Sequence, residues 1–199
     1  MVSDALQEWQ TTRSRRVQQL LDAHAAMSPP GPGRRWRTEQ VNWALILRLA
    51  AEFQGFSRAL HDQTAAFFGT SVAATNPAIG TVLLFVTTHN RRLNKGNADA
   101  SCLSEDFSRF GMQLWKELDR AYPAESSGWN KAVQTLNLAR NGIAHDDRAK
   151  IAQAETQGWP LNRLSTFKRL RAELDGLTLA LDFAVGTYLH RLVGGAPPW

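Results

Sequence analysis

TVLLFVTT, from Thr81 to Thr88, is the segment whose reading decides the fold. Its β-branched residues suit a strand, and a strand here would need partners elsewhere in the chain. The flanking sequence supplies none. Nearly every stretch longer than a dozen residues repeats its apolar positions at threes and fours rather than at twos. TVLLFVTT therefore reads as part of a buried helix running from about Pro77 to Leu93, and the chain as all-α.

Upstream, Val41, Leu45, Leu49, Phe53, Phe56 and Leu60 form the stripe of a long helix that Thr38 caps and that continues to about Phe68. Before it, Leu6, Trp9, Val17, Leu20 and Leu21 share one side of a first helix from about Ser3 to Met27, stopped by SPPGPG. Downstream, NRRLNKGNADAS reads as a polar loop, and Ser104 with Glu105 and Asp106 opens a helix ending near Tyr122 and Pro123. Another helix spans about Gly128 to Asn141. Ser165 caps the last one, whose seam runs through Phe167, Leu170, Leu174, Leu177, Leu181, Val185, Tyr188 and Leu192 before GGAPPW ends it. The expected organisation is an N-terminal helix with a Pro/Gly/Arg-rich connector over residues 1–37, a helical bundle over 38–193, and a tail over 194–199.

The length of 199 residues suits one domain with a sizeable core. Hydrophobic residues are 43% and charged residues 21%, a balance that points away from disorder, and no apolar run is long enough to span a bilayer. MVSDALQEWQ lacks the basic start and apolar core of a signal peptide, so a cytoplasmic location with no membrane partner is expected. Cys102 is the single cysteine, which excludes an internal disulfide and a multi-thiolate metal site. The formal charge of +5 favours polyanions, nucleic acid above all. Arg34, Arg35, Arg37, Arg91 and Arg92 are the candidate RNA-contacting residues, and Trp36 among them has the chemistry to stack on a base or to anchor a loop.

The residues with the most chemical content lie at the end of the fifth helix, in LNLARNGIAHDD, Leu136 to Asp147. Trp129, Val133 and Leu136 occupy one face, and the same spacing continues to Arg140 and Ile143. A guanidinium on an apolar stripe needs a carboxylate, a subunit interface or an anionic ligand. Glu52, which interrupts the stripe of the long helix, is the internal candidate. Five residues on, His145 falls roughly 140° around an ideal helix from Arg140. The two meet only if Asn141 and Gly142 end the helix and the chain folds back, or if a second copy completes the pair.

Arg140-Asn141-Gly142-Ile143-Ala144-His145 resembles the R-x4-6-H motif of the HEPN superfamily, small α-helical domains that include metal-independent ribonucleases of bacterial toxin-antitoxin and antiphage systems, among them the RiboL-PSP type. The order of elements agrees with the resemblance, from the long helix carrying AEFQGFSRAL to the motif at a helix end and the apolar C-terminal helix. The likeness covers roughly Thr38 to Leu192 and implies an up-and-down bundle with the first helix as an addition. It implies an endoribonuclease in which a ribose 2′-hydroxyl attacks the adjacent phosphate, leaving a 2′,3′-cyclic phosphate and a 5′-hydroxyl, without metal or cofactor. On that reading His145 is the general acid or base, Arg140 holds the phosphate, Asn141 orients them, and Glu52 supports Arg140. The resemblance also implies a homodimer that brings both arginines and both histidines into one cleft, and an antitoxin or regulatory protein as partner.

Two other readings compete. The doublet His145-Asp146 also occurs in HD-type metal phosphohydrolases, for which His89 and Asp182 would have to complete the ligand set. A catalytically silent HEPN module would use the same cluster to dimerise or to bind a nucleotide or RNA. His24, His61, His89 and His190 otherwise read as surface or core residues, and no phosphate-cradling glycine loop, Ser-His-Asp arrangement or H-E-x-x-H zinc spacing is present.

Overall fold

A computed structural model describes residues 1–27 and 36–199, the side chains of Trp36 and Arg37 excepted. The expected roles of Arg34, Arg35, Trp36 and Arg37, and the SPPGPG stop, lie outside the described residues. Every regular element among those described is helical, and the fold is an all-α bundle. No helix among them is long and apolar enough to cross a membrane.

The bundle is organised around α3 (Trp36–Ala73), against which the N-terminal helix, α4, α7 and α9 all pack. The N-terminal helix consists of α1 (Asp4–Glu8), a π-helical turn over Trp9–Arg13, and α2 (Ser14–Met27). Ser3 caps it by accepting from the Leu6 amide. Trp9 enters the core edge-on to Phe53 and Phe56, and its indole N–H donates to Asp175 at 2.9 Å. The long α9 (Leu164–Val193) closes the other side with Phe167, Leu170, Leu174, Leu177, Leu181 and Val185, and ends at Gly194 with φ +75°. Trp199 comes back onto α9, where a Cβ on Gly186 would lie 3.1 Å from its indole nitrogen.

Several boundaries differ from the expected ones for identifiable reasons. α3 runs past Gly69 because that glycine is a packing contact rather than a stop. A Cβ on Gly80 would fall 2.7 Å from the Gly69 carbonyl oxygen and 2.5 Å from Ala73 Cβ, so α3 and α4 (Pro77–Thr88) approach backbone to backbone. Asn76 caps α4 and Pro77 opens it. The segment TVLLFVTT is helical, as its surroundings demanded. Its helix is not buried, however: Val82 and Phe85 are each 58% exposed, because among the described residues α4 packs mainly on α3 and presents its other side to solvent.

The polar segment after it contains a short 3-10 turn, Arg92–Asn94, pinned by the fully buried Asp106, which accepts from the amides of Arg92 (2.9 Å) and Leu93 (2.7 Å). The next helix is two helices. Asp99 rather than Ser104 caps α5 (Ala100–Ser108), and Gly111, with φ +78°, separates it from α6 (Leu114–Ala121). The motif helix α7 (Ser126–Ala144) continues through Asn141 and Gly142, where the glycine lets α8 (Arg148–Thr156) come close: a Cβ there would meet Ile151 and Lys150 at 3.1–3.2 Å. The stretch between motif and last helix thus forms α8, capped by Asp147.

Candidate functional site

α7 and α3 pack so that the last turns of the motif helix face the middle of α3 across a cavity of about 250 Å³. Arg140, Asn137 and Ala144 line it from α7, Ala50, Phe53 and Gln54 from α3, and Asn97 from the loop before α5. The apolar periodicity of α7 places Arg140 here in register with Leu136, half-buried. Its Nη1 donates to the Asn141 side-chain oxygen at 3.0 Å, and no carboxylate among the described residues lies within ion-pair distance of it.

The neighbours of Arg140 are carboxamides. Asn97 Nδ2 donates to the side-chain oxygens of Asn137 (2.7 Å) and Asn141 (2.9 Å), and Asn141 Nδ2 points to Asn137 at 3.4 Å. The Asn141 oxygen thus accepts from both Asn97 and Arg140. The loop that carries Asn97 is itself anchored on α3, where Gln54 donates to the Gly96 and Leu93 carbonyls and Arg58 donates to Leu93 at 2.6 Å. Asn137 stands one turn before Asn141, so its proximity was readable from the i, i+4 spacing. Asn97 and Gln54 carry no such signal.

Glu52 does not support Arg140. The cavity is lined by Leu47, Ala50, Ala51 and Gln54 of α3, and Glu52 leaves the helix on nearly the opposite side. There it is buried among Arg13 (3.1 Å), Arg16 (3.6 Å) and Arg48, and it ties the N-terminal helix to α3. The arginine expected to face a carboxylate has none among the described residues, and the carboxylate expected to face it has three other arginines.

His145 is the first residue past α7. Its backbone amide still donates to the Asn141 carbonyl at 3.2 Å, while its imidazole is exposed and makes no hydrogen bond with the described residues. Because α7 continues to Ala144, the helical offset separates His145 from Arg140, and it does not line the cavity. Asp146 then takes the left-handed conformation (φ +48°) that turns the chain into α8. The Lys150 ammonium and the amides of Lys150 and Ala149 hold the Asp147 carboxyl below the usual carboxylate range.

No family model, curated protein or solved structure matches the chain. What the site can do therefore rests on its own geometry.

Beyond Asn137 and Asn141 a second, open groove of about 450 Å³ is lined by Gln134, Gln153, Gln157 and Lys150. The carboxamide wall thus has Arg140 and a cavity on one side and amide-rich surface on the other. Of the remaining expected nucleic-acid contacts, Arg91 is not a surface residue. It is 5% exposed, holds Asp62 with both terminal nitrogens (2.6 and 3.2 Å), donates from Nε to Asn94, and lies 3.0 Å from His61 Nδ1. Burial and the Arg91 charge push the His61 imidazole down to about 4. Arg92 is half-exposed and shares one nitrogen between Glu105 and Ser101, each at 2.9 Å.

The residues an HD-type site would need are dispersed. His89 stacks on Phe85 at the end of α4, Asp182 is buried on α9 accepting from the Ser3 amide, and among the described residues no group of three or more His, Cys, Asp or Glu is placed to hold a metal ion. Cys102 is buried, and desolvation pushes its thiol up to about 12, which leaves it a poor nucleophile.

Proposed function

We propose that the protein is a metal-independent endoribonuclease of the HEPN type, acting as a homodimer on single-stranded or structured RNA. The observation that carries this reading is Arg140: a half-buried guanidinium with no carboxylate among the described residues, oriented by the Asn141 carboxamide and facing a cavity, with an exposed histidine five residues on. An internal charge left uncompensated calls for an external anion, and the planar fork of arginine suits a phosphodiester.

Arg140 and His145 lie on different sides of α7, so the pair is completed by a second copy, the His145 of one protomer serving the phosphate held by the Arg140 of the other. One imidazole accepts the proton of the 2′-hydroxyl as its oxygen bonds to phosphorus. The bond from phosphorus to O5′ breaks, and a protonated imidazole returns a proton to O5′. The products are a 2′,3′-cyclic phosphate and a 5′-hydroxyl, with no water consumed and no metal required. Arg140 stabilises the negative charge that grows on the non-bridging oxygens. Such an activity harms its own cell, and the family resemblance brings with it a toxin-antitoxin or antiphage setting with a neutralising partner.

The same separation of Arg140 from His145 favours a second reading, a catalytically silent HEPN module that binds nucleotide or RNA phosphate at Arg140. Cleavage of an end-labelled RNA pool in EDTA tests both. Products ending in 2′,3′-cyclic phosphate, lost in His145→Ala and in Arg140→Ala, are expected of the enzyme. Binding that needs Arg140 but not His145, without cleavage, is expected of the silent module. Cleavage that appears only with added divalent metal would overturn both.

A further inference from the structure

From Gln63 to Asn90 the chain contains no Asp, Glu, Lys or Arg, and this stretch builds the C-terminal part of α3 and all of α4. α4 rests on α3 through Gly80 and Thr87, both buried, and among the described residues α3 is the one helix it packs on extensively. Its opposite side carries Ile79, Val82, Phe85 and Val86, between 49% and 58% exposed. Ala78, Val82, Phe85 and His89 follow one another at spacings of four, three and four, the repeat of a seam between two packed helices.

We propose that this seam of α4 is a self-association surface, covered in solution by the α4 of a second copy related by a two-fold axis. Three observations select that occupant. First, the seam itself carries no charged side chain with which to recognise a charged partner; the nearest charge, Arg109, is spent on the carbonyls of Val86, His89 and Asn90 at the end of α4. A chain of net charge +5 repels its own copies least where the charged residues are missing. Second, Ile79, Val82, Phe85 and Val86 together expose roughly 400 Å² of surface, the size of an apolar patch that on a monomer is often functional, and about half of the ~800 Å² per partner of a standard interface. Third, the apolar side chains lie along the flank of the α3–α4 hairpin and not at its tip, which is Ala74-Thr75-Asn76. A hairpin built to enter a lipid surface would lead with an apolar tip, whereas an apolar flank suits another helix lying alongside.

This contact is separate from the one that would complete the Arg140 site. Gly69, where α4 packs, is nineteen residues along α3 from Ala50, which lines the Arg140 cavity, or about 28 Å at the helical rise. The inference stands or falls independently of the ribonuclease reading.

Sedimentation velocity of the full chain at ten to one hundred micromolar tests it. Wild type is expected to sediment at a multiple of 22.2 kDa. Val82→Glu/Phe85→Glu is expected to drop one association step with its helical circular dichroism unchanged, since both side chains already face water. Val82→Cys supplies a second readout that keeps the seam apolar. Cys102 is buried, so a disulfide-linked dimer on mild oxidation reports the new thiol meeting its copy near the axis. A wild type that stays at the monomer mass overturns the proposal, as does a double glutamate variant with the wild-type mass. Flotation of wild type with neutral phosphatidylcholine vesicles, lost in the glutamate variant and unaccompanied by self-association, would overturn it in favour of a lipid occupant.

Discussion

Arg91 and Arg140 are both arginines drawn into the protein, and they are treated in opposite ways. Arg91 holds the Asp62 carboxylate with two nitrogens, Asn94 with a third, and lies against His61; almost nothing of it reaches solvent. Among the described residues Arg140 has a single hydrogen-bond partner, the neutral carboxamide of Asn141, and it faces a cavity. A guanidinium whose hydrogen bonds and charge are met inside the fold serves stability. One whose orientation is fixed but whose charge is unmet is suited to an anion from outside. Sequence position does not distinguish the two, for both stand beside Asn residues near the ends of helices.

The contrast is broken most severely by removing the proposed catalytic groups. His145→Ala is expected to lower RNA cleavage by about 10²–10⁴-fold, as loss of a general acid or base does. Arg140→Ala is expected to lower it by about 10²–10³-fold, the range for loss of one charge-stabilising donor. Both should leave the urea midpoint nearly unchanged, since neither side chain holds an ion pair among the described residues. A large loss of stability in Arg140→Ala would show that this arginine is structural after all and would dissolve the distinction from Arg91.

Arg91→Ala should do the reverse. It removes the partner of Asp62 and one neighbour of buried His61, and about 3 kcal/mol of unfolding free energy is expected to go. Half of the Asp62 side chain is in water, which limits the penalty to the lower end of the range for buried pairs. Chemical denaturation measures the loss. Whatever RNA cleavage the folded fraction has should persist, which a role for Arg91 in RNA contact would not allow.

The same cluster gives the protein a pH dependence of known sign. In the folded state His61 titrates at about 4, against about 6.5 when unfolded. Between these values the unfolded chain binds more protons, so stability is complete above about pH 6.5 and declines as pH falls toward 4. By pH 5 the loss from this residue is on the order of 2 kcal/mol. Burial raises the carboxyls of Asp175 and Asp182, which protonate on acidification and act in the opposite direction. The measurement is therefore the difference between wild type and His61→Gln in urea midpoint from pH 7.5 to pH 5. The variant is expected to show the flatter profile.

Much of the fold was legible because helices announce themselves locally. The stripe from Val41 to Leu60 and the seam from Phe167 to Val185 are intrinsic to the sequence, and both helices occur where the periodicity put them. What escaped was decided by packing between distant segments. Gly69 and Gly142 look like helix ends and are close-approach points for α4 and α8, because a missing Cβ serves both purposes equally. The apolar content of TVLLFVTT gave no sign that only one side of its helix would be covered. Arg140 was legible as an oddity on an apolar stripe. Its lack of a carboxylate was not, since Glu52 is only one of several acids that could have reached it, and the winner depends on which side of α3 faces α7. The link from Asn97 to Asn141 joins a loop and a helix far apart in sequence, and no local pattern encodes it.

That link offers the finest test of the contrast. Asn97 donates to Asn137 and Asn141, and Asn141 in turn receives Arg140, so Asn97 is a positioning residue for the guanidinium. Asn97→Ala removes two hydrogen bonds at a half-buried site, for a stability loss of about 1 kcal/mol, and should lower cleavage or RNA affinity less than tenfold. Asn97→Asp keeps the volume but replaces the donor with a carboxylate that lines the same cavity as Arg140. It supplies the counter-charge that distinguishes Arg91 from Arg140. If the unmet charge of Arg140 is what an RNA phosphate answers, the aspartate must be the more damaging substitution for RNA binding, with KM raised more than kcat is lowered and the deficit shrinking at higher salt as the added charge is screened. If Asn97 matters only as packing, the order reverses, because the aspartate fills the space that the alanine leaves empty.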